Sequence, residues 1–272
     1  MGSLTNFSEN ELLDHACGLS YTAPSTVYLA LATADPGEAA TGASMNEVPN
    51  SGAYARTAIT FGAAASRKVE QSGGVTFPTA SGSWGTVTHW ALVDSATYGA
   101  GNALAYGSFV VSKAVVSSNT PSVPTAEVDV EITTGAMSNY LVHKLLDLMF
   151  RNQSFTAPAT HYAALTTATI SDSSTGSSVT EPSGNGYTRK AVAANGGSSP
   201  TWTVSSGGAV DNTAAVDFGT ASGSWGTIVA TCTADASSAG NMLFYDNGVT
   251  DQAVGTNDTV SFATGAWDAS LS

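Results

Sequence analysis

The amino-acid sequence predicts a mainly β protein made of two tandem homologous units, each a β-sandwich or jelly-roll-like domain that follows a short α-helix. The first observation is an exact repeat: Thr79–Thr86 returns letter for letter as Thr220–Thr227. The second is composition, because only 11% of the residues are charged, against roughly a quarter in ordinary soluble domains. The third is a series of short apolar segments separated by Gly, Ser and Pro turns, which is typical of sandwiches and barrels.

The repeat extends well beyond this octapeptide. Further matching pairs are Leu12-Leu13-Asp14 with Leu145-Leu146-Asp147, Tyr54-x-Arg56 with Tyr187-x-Arg189, Asp94 with Asp235, and Gly101-Asn102 with Gly240-Asn241. A repeat of about 135 residues is a domain rather than a solenoid module. We therefore predict two domains, residues 1–134 and 137–272. The junction at Thr133–Met137 is too short to let them tumble independently. A site inherited from the ancestral unit should appear twice.

Charge and cysteine content exclude several classes of function. The net charge is −13, from 8 basic and 21 acidic residues. Such a chain is repelled by phosphate backbones and anionic lipids, so nucleic-acid binding is not expected. No apolar run approaches the roughly 18 residues that a membrane span needs, so membrane insertion is not expected. The N-terminal residues lack the pattern of a signal peptide, which predicts synthesis in the cytoplasm. Cys17 and Cys232 occupy non-equivalent places in the two units, which indicates two buried thiols rather than a disulfide framework.

The first unit begins with a helix signature. Ser8 can cap the helix, Glu11 can complete a capping box, and Phe7 and Leu12 can form a hydrophobic staple. The helix is predicted to end near Gly18. The period then changes to two, which predicts strands at Val27–Ala32, Tyr54–Phe61, Val75–Phe77, Thr86–Val93, Leu104–Val111 and Val128–Ile132.

The second unit repeats this order. Apolar residues recur at helical spacing from Asn139 to about Arg151, which predicts the second helix. Matching strands follow, and the last two are predicted at Val260–Phe262 and Trp267–Leu271.

The duplicated Ser-Gly-Ser-Trp-Gly-Thr block is the strongest motif. Glycines on both sides of an indole, as at Trp84-Gly85 and Trp225-Gly226, favour a tight turn in which the ring covers the edge of the core. The alternative is an aromatic platform for a sugar. Duplication alone does not choose between them, but the block leads directly into an apolar strand, which favours packing.

Two arginines are the only duplicated basic residues. Arg56 and Arg189 each follow a tyrosine, Tyr54 or Tyr187, by two positions. In a chain with so few charges, each should have a carboxylate partner. Asp94 and Asp235 are the duplicated candidates within each unit, so we predict structural Arg–Asp pairs rather than a catalytic site.

No catalytic, cofactor or metal site is predicted. The four histidines, His15, His89, His143 and His161, do not coincide between the units and lack the local spacing of metal ligands. No nucleophile elbow, phosphate loop, zinc-protease motif or calcium loop is present. The sequence therefore predicts a protein that is not an enzyme and needs no cofactor.

The first unit carries a recognisable combination of blocks. These are Tyr-Thr-Ala-Pro-Ser-Thr-Val-Tyr-Leu-Ala-Leu-x-Thr-Ala-Asp-Pro from Tyr21, Glu47-Val48, Tyr54-Ala55-Arg56, the Val75–His89 segment, Asp94, and Gly101-Asn102-x-Leu104. The combination resembles a family of small virion proteins of tailed bacteriophages, commonly described as tail-fibre or minor structural proteins. The resemblance covers most of the chain. It implies a virion component and carries over no catalytic residues.

The leading hypothesis is a non-enzymatic structural protein on the exterior of a phage particle, a tail-associated fibre or adaptor protein. One alternative is a capsid decoration protein. Another is a carbohydrate-binding adhesin that uses exposed members of the set Trp84, Trp90, Trp202, Trp225 and Trp267. A glycan hydrolase would need paired carboxylates in a cleft, for which the candidates are Asp94 with Glu127 or Asp129.

The expected partners follow from this placement in the virion. They are tail, portal-vertex or major capsid proteins, with a host surface glycan as a further candidate. The chain is expected to form a homo-oligomer within the virion. Since it has two similar faces, it can also replace a homodimer of single-unit relatives.

Overall fold

The computed structural model describes residues 2–133 and 136–271 and confirms a mainly β protein with one helix at the start of each repeat. Helix α1 spans Asn6–Ala16 and helix α2 spans Asn139–Arg151. The second has the predicted bounds. Part of the predicted junction, residues 134 and 135, lies outside the described residues. No helix in the described part of the chain is long and apolar enough to cross a membrane.

The first unit is organised around one large curled sheet. Its strands are β1 Gly2–Leu4, β2 Val27–Ala32, β3 Thr57–Ile59, β4 Lys68–Glu70, β5 Val75–Thr76, β6 Gly85–Val93, β7 Ala103–Val115, β8 Ser122–Val123 and β9 Asp129–Glu131. Seven of them form a sheet in the order β3-β2-β6-β7-β1-β9-β4, while β5 pairs with β8. All pairs are antiparallel except β1 with β9, which is parallel.

The second unit repeats the centre of this sheet and divides the remainder into short pairs. Its strands are β10 Thr160–Thr166, β11 Lys190–Ala193, β12 Ala209–Asp211, β13 Val216–Thr220, β14 Gly226–Ile228, β15 Ala230–Ala234, β16 Met242–Asp246, β17 Gln252–Val254, β18 Thr259–Phe262 and β19 Asp268–Ser270. The order β11-β10-β15-β16 corresponds to β3-β2-β6-β7, and the pairs β12-β19, β13-β18 and β14-β17 complete the unit.

The predicted cap of helix α1 is wrong. Thr5, not Ser8, is the N-cap, and its hydroxyl accepts from the Ser8 amide at 3.4 Å. Thr5 also donates to the Ala103 carbonyl at 2.5 Å, so the cap is tied to β7. Helix α2 is capped in the same way by Ser138, which accepts from the Leu141 amide. The Ser138 hydroxyl also donates to the carbonyl of Met242 on β16. Each cap residue is therefore fixed by a contact with a distant strand, and such a contact cannot be read from the local capping pattern.

Some predicted strands differ in length from those observed. Tyr54–Phe61 contains a strand only at Thr57–Ile59, because Tyr54 and Arg56 precede it and turn into a side-chain cluster. Strand β7 runs to Val115, four residues beyond the prediction. Strands β1, β4 and β8 were not predicted, since two or three residues are too few to show a period.

Trp90 is placed at the centre of the first sheet by two glycines. Gly2 of β1 and Gly107 of β7 are cross-strand partners, and the fully buried indole of Trp90 lies against both. A Cβ at Gly107 would lie 2.5 Å from the ring. The bare backbone at these positions therefore makes room for the largest side chain in the sheet.

The two units share one core. The largest cluster of buried apolar residues includes side chains from both helices and from both sets of strands. Helix α1 packs against α2 and against β12 of the second unit, while α2 packs against β4 of the first. The largest core cluster therefore crosses the boundary between the units, while two smaller clusters, around Ala30 and Ala164, each lie within one unit.

Reciprocal hydrogen bonds join the units. The carboxylate of Asp14 on α1 accepts from the Ser205 amide at 2.6 Å. Its repeat equivalent, Asp147 on α2, accepts from the Ala64 amide at 2.8 Å. Ser205 and Ala64 are themselves equivalent, because each precedes the tight turn that leads into β12 or β4. Each helix thus clamps the same turn of the opposite unit, which is the geometry of an isologous dimer interface.

Candidate functional site

A cluster of three polar side chains lies below the loops of the first unit. The guanidinium of Arg56 donates to the two carboxylate oxygens of Glu47 at 2.9 and 2.8 Å. The Tyr54 hydroxyl donates to the same carboxylate at 2.7 Å. Burial and this carboxylate raise the pKa of Tyr54, so the hydroxyl remains a donor. The remaining guanidinium N–H groups donate to the carbonyls of Gly42, Ser95 and Ala100.

The second unit contains the same cluster. Arg189 donates to Glu181 at 2.6 and 3.0 Å, and the Tyr187 hydroxyl donates to Glu181 at 2.8 Å. The other Arg189 N–H groups donate to the carbonyls of Gly176, Ala236 and Ala239. The two copies differ in exposure: the Glu47 side chain is 5% accessible, whereas that of Glu181 is 19% accessible. One architecture therefore occurs twice, closed in the first unit and open in the second.

The predicted pairs of these arginines with aspartates are wrong. Asp94 accepts from the backbone and side-chain amides of Asn102 at 2.7 and 2.8 Å. Asp235 holds Asn241 in the same way at 2.7 Å for both bonds. Each aspartate therefore closes a loop rather than neutralising an arginine.

The correct partners carried a signal in the sequence. Glu47 and Glu181 are themselves duplicated, nine and eight residues before their arginines. Asp94 and Asp235 are duplicated as well, so duplication by itself does not identify the partner of each arginine. Local patterns did not show which carboxylate the sheet brings under each arginine.

The tryptophans of the repeated block are packing residues. Trp84 is fully buried and Trp225 is 3% accessible. Their ring nitrogens donate to the carbonyls of Gly52 and Asn185 at 2.8 and 2.9 Å. Each indole also meets the tyrosine of the polar cluster edge-on. The block therefore supports the Tyr–Arg–Glu cluster from below. Trp90, Trp202 and Trp267 are buried as well, so no tryptophan forms a surface platform.

Above the two clusters lie clefts of different size. In the second unit the cleft has a volume of about 690 Å³ and is lined by Tyr187, Glu181 and Arg189. The corresponding cleft of the first unit measures about 230 Å³ and is lined by Tyr98. The ring of Tyr98 stands edge-on to Tyr54 with 6.4 Å between the centroids. The loop after the aspartate is two residues shorter in the second unit, and it contains no counterpart of Tyr98.

An apolar bulge distinguishes the first unit. Between the pairs Val87–Lys113 and His89–Ser108, residues 109–112 of β7 stand opposite Thr88 alone. The side chains at the tip of this bulge are exposed, Val110 at 91% and Val111 at 77%. The second unit bulges at the equivalent place, residues 247–251, but there the half-buried Val249 and the polar Thr250 replace the two exposed valines.

The histidines are structural and scattered. His161 accepts from the Trp202 ring nitrogen at 3.0 Å, so its other nitrogen carries the proton and donates to the Ala16 carbonyl at 3.1 Å. Burial lowers the pKa of His161 to about 4. His15 and His143 also contact the opposite unit, through Phe155 and Arg67. Within residues 2–133 and 136–271, no group of three or more His, Cys, Asp or Glu side chains is arranged to hold a metal ion.

A family model for the podophage GP4 fiber I protein gp80 matches the chain twice, at residues 3–131 and 136–270. The chain belongs to this fibre family. Since the two matches together cover nearly the whole sequence, the gp80 family unit is present in tandem. No curated protein matches the chain.

Membership in the gp80 family makes the chain a phage fibre protein and a component of the virion. The family description names a fibre protein. In both clusters described above, polar side chains hold loops together. Both Cys17 and Cys232 are buried free thiols.

Proposed function

We propose that the chain is a tail-associated fibre or adaptor protein, exposed on the particle and without enzymatic activity, that attaches through its first unit. The observation that carries this proposal is the apolar bulge around Val110 and Val111. The Tyr–Arg–Glu cluster and the Trp-Gly block recur in the second unit, whereas the exposed Val110 and Val111 correspond to the half-buried Val249 and the polar Thr250. If only the first unit attaches the chain to the particle, the attachment surface should be present in that unit alone.

The bulge has the composition of a contact surface. Exposed apolar side chains grouped on a monomer mark interaction sites more often than isolated ones do. Val116, 52% exposed, directly follows the same strand, and the partly buried Phe109 packs against the core beneath the bulge. The occupant that fits is an apolar surface of a tail protein, because the family is a family of fibre proteins. The buried tryptophans offer no support for the adhesin alternative in the form that uses an indole platform.

The first test is the copy number of the protein in purified particles, measured by quantitative mass spectrometry against the major capsid protein. A tail location predicts copy numbers from a few to a few dozen, set by the symmetry of the tail. Hundreds of copies would instead identify a capsid decoration protein. Absence from the particles would contradict a role in the virion.

A matched pair of variants tests the attachment face. Val111→Asp places a charge at the tip of the bulge, and Thr250→Asp places the same charge at the equivalent position of the second unit. We expect Val111→Asp to lower incorporation into particles at least about tenfold, because a desolvated charge opposes apolar contact. Thr250→Asp should leave incorporation unchanged. Equal incorporation of both variants would show that attachment uses another surface.

A further inference from the structure

The open cleft of the second unit has a specific polar character. Arg189 uses all five of its N–H groups on Glu181 and on three backbone carbonyls. It therefore has no donor left for an anionic ligand. Glu181 keeps acceptor capacity, since the Tyr187 hydroxyl and the guanidinium fill about three of its four lone-pair directions, and 19% of its side chain is accessible.

The walls of the cleft add hydroxyl groups and an aromatic ring. The partly buried Tyr187 lines it, together with four exposed hydroxyl side chains, Ser177, Thr188, Ser237 and Ser238. Arg189 and Glu181 are the only charged residues among those that line the cleft in the described part of the chain, and they neutralise each other. Fixed acceptors and hydroxyls beside an aromatic ring suit a ligand that has many hydroxyl groups and no charge.

The equivalent cleft of the first unit indicates the size of group that the open cleft of the second unit accommodates. There the loop between Asp94 and Gly101 carries Tyr98, whose six-membered ring stands beside Tyr54 and narrows the cleft. The shorter loop between Asp235 and Gly240 leaves the corresponding space beside Tyr187 open. A ring of the size of a pyranose fits the volume that Tyr98 fills in the other copy.

We propose that the cleft above Tyr187, Glu181 and Arg189 binds a neutral saccharide, one pyranose ring at its base, with Glu181 accepting from a ring hydroxyl. This binding site is separate from the attachment face on the first unit. It goes beyond a fibre or adaptor role and does not depend on it, because saccharide binding is measured on the isolated protein.

Saturation-transfer NMR on the full chain tests the proposal. The probes are methyl α-glucopyranoside, methyl α-galactopyranoside and N-acetylglucosamine as neutral saccharides, with N-acetylneuraminic acid as the anionic one. We expect at least one neutral probe to bind with a dissociation constant on the order of millimolar, and the anionic probe not to bind. Absence of binding by every neutral probe up to about 50 mM, or preference for the anionic one, would overturn the proposal.

Two loop variants locate the site. The first replaces residues 236–239 with the sequence of residues 95–100, which transfers the tyrosine of the first unit. We expect this graft to weaken saccharide binding at least tenfold. Ser238→Tyr fills the same space with a single substitution, and it replaces the graft as the test if the graft lowers thermal stability. Unchanged binding in the folded variant would exclude the cleft as the site.

The reciprocal variant is Tyr98→Ala, which removes the ring from the cleft of the first unit. Because Glu47 and Arg56 stand below it as Glu181 and Arg189 do in the second unit, we expect a second, weaker site to appear. If the graft, Ser238→Tyr and Tyr98→Ala all leave saccharide binding unchanged, the binding site lies elsewhere on the protein.

Discussion

At the scale of single residues, the two arginine clusters place the same Arg–Glu contacts in two environments that differ in exposure to water. Arg56 and Glu47 are almost completely withdrawn from water, whereas Glu181 retains partial access. Removing one partner of a buried ion pair leaves the other charge uncompensated. The more deeply buried copy should therefore be the more sensitive one, although the hydrogen bonds are the same.

We expect Glu47→Gln to lower the free energy of unfolding by about 3 to 5 kcal/mol, the range for breaking a buried pair. Glu181→Gln should cost less, about 1 to 3 kcal/mol, since water reaches the position of the Glu181 side chain and the pair is less completely desolvated. Urea unfolding of both variants at pH 7 measures the difference. An equal cost in the two units would show that exposure does not decide the energy of this cluster.

At the scale of elements, helix α1 carries a carboxyl group in an unfavourable place. Glu9 is buried on the helix, and its side chain faces Glu38 of the loop after β2. Burial, the negative charge of Glu38 and a hydrogen bond shared with it raise the pKa of Glu9 to about 7. The folded helix therefore prefers the protonated form of Glu9, while the unfolded chain titrates near the ordinary value.

This preference gives a direction to the pH dependence of stability. A raised folded-state pKa contributes stability that is complete below about pH 4.5 and is lost as the pH rises to about 7. Glu9→Gln mimics the protonated form and should remove this loss. We expect the stability of Glu9→Gln relative to the wild type to increase by about 1 to 2 kcal/mol between pH 4.5 and 7.5. The value is modest because Glu38 is exposed to solvent.

The measurement is urea unfolding of both proteins across this pH range. The comparison with wild type matters because His161 acts in the opposite sense: its lowered folded-state pKa gives stability above about pH 6.5 that is lost as the pH falls toward 4. Glu38→Gln serves as the second variant and should give a smaller relative gain, because it removes the charge of Glu38 but leaves the burial of Glu9, the largest cause of the raised pKa. Parallel pH profiles for wild type and both variants would show that the carboxyl pair does not control the stability of α1.

At the scale of the whole molecule, the duplicated chain folds as a covalent dimer of its own repeat. Asp14 and Asp147 each cap the equivalent turn of the other unit, and one core cluster runs through both. The covalent junction is then not needed to keep the units together, because the interface is formed by the same kinds of contacts as a domain interior.

We expect the two halves to remain associated after the chain is cut. A protease recognition sequence placed between Thr133 and Ala136 allows cleavage of the folded protein, and size-exclusion chromatography then shows whether the fragments elute together. The shared core and the reciprocal hydrogen bonds predict a single peak at the mass of the intact chain. Elution at about half this mass would mean that the junction holds the units together.

A double variant relates this association to the clamps. Asp14→Ala with Asp147→Ala removes both carboxylates and leaves the Ser205 and Ala64 amides without partners, which should make the cut protein dissociate at lower urea concentration. The control is Asp251→Ala, which makes the same substitution at a solvent-exposed aspartate. If the double variant and the control dissociate at the same concentration, the clamps do not contribute.

The amino-acid sequence by itself determined the mainly β class, the duplication, helix α2 and strand Val27–Ala32. These follow from periodicity and repetition, which depend on neighbouring residues. Only the tertiary structure decided that Glu47 pairs with Arg56, that Thr5 caps α1, and that the units share a core. The reason is that these contacts join residues that a sheet brings together across distant parts of the chain, and a local pattern does not specify which of several polar partners the fold places within reach.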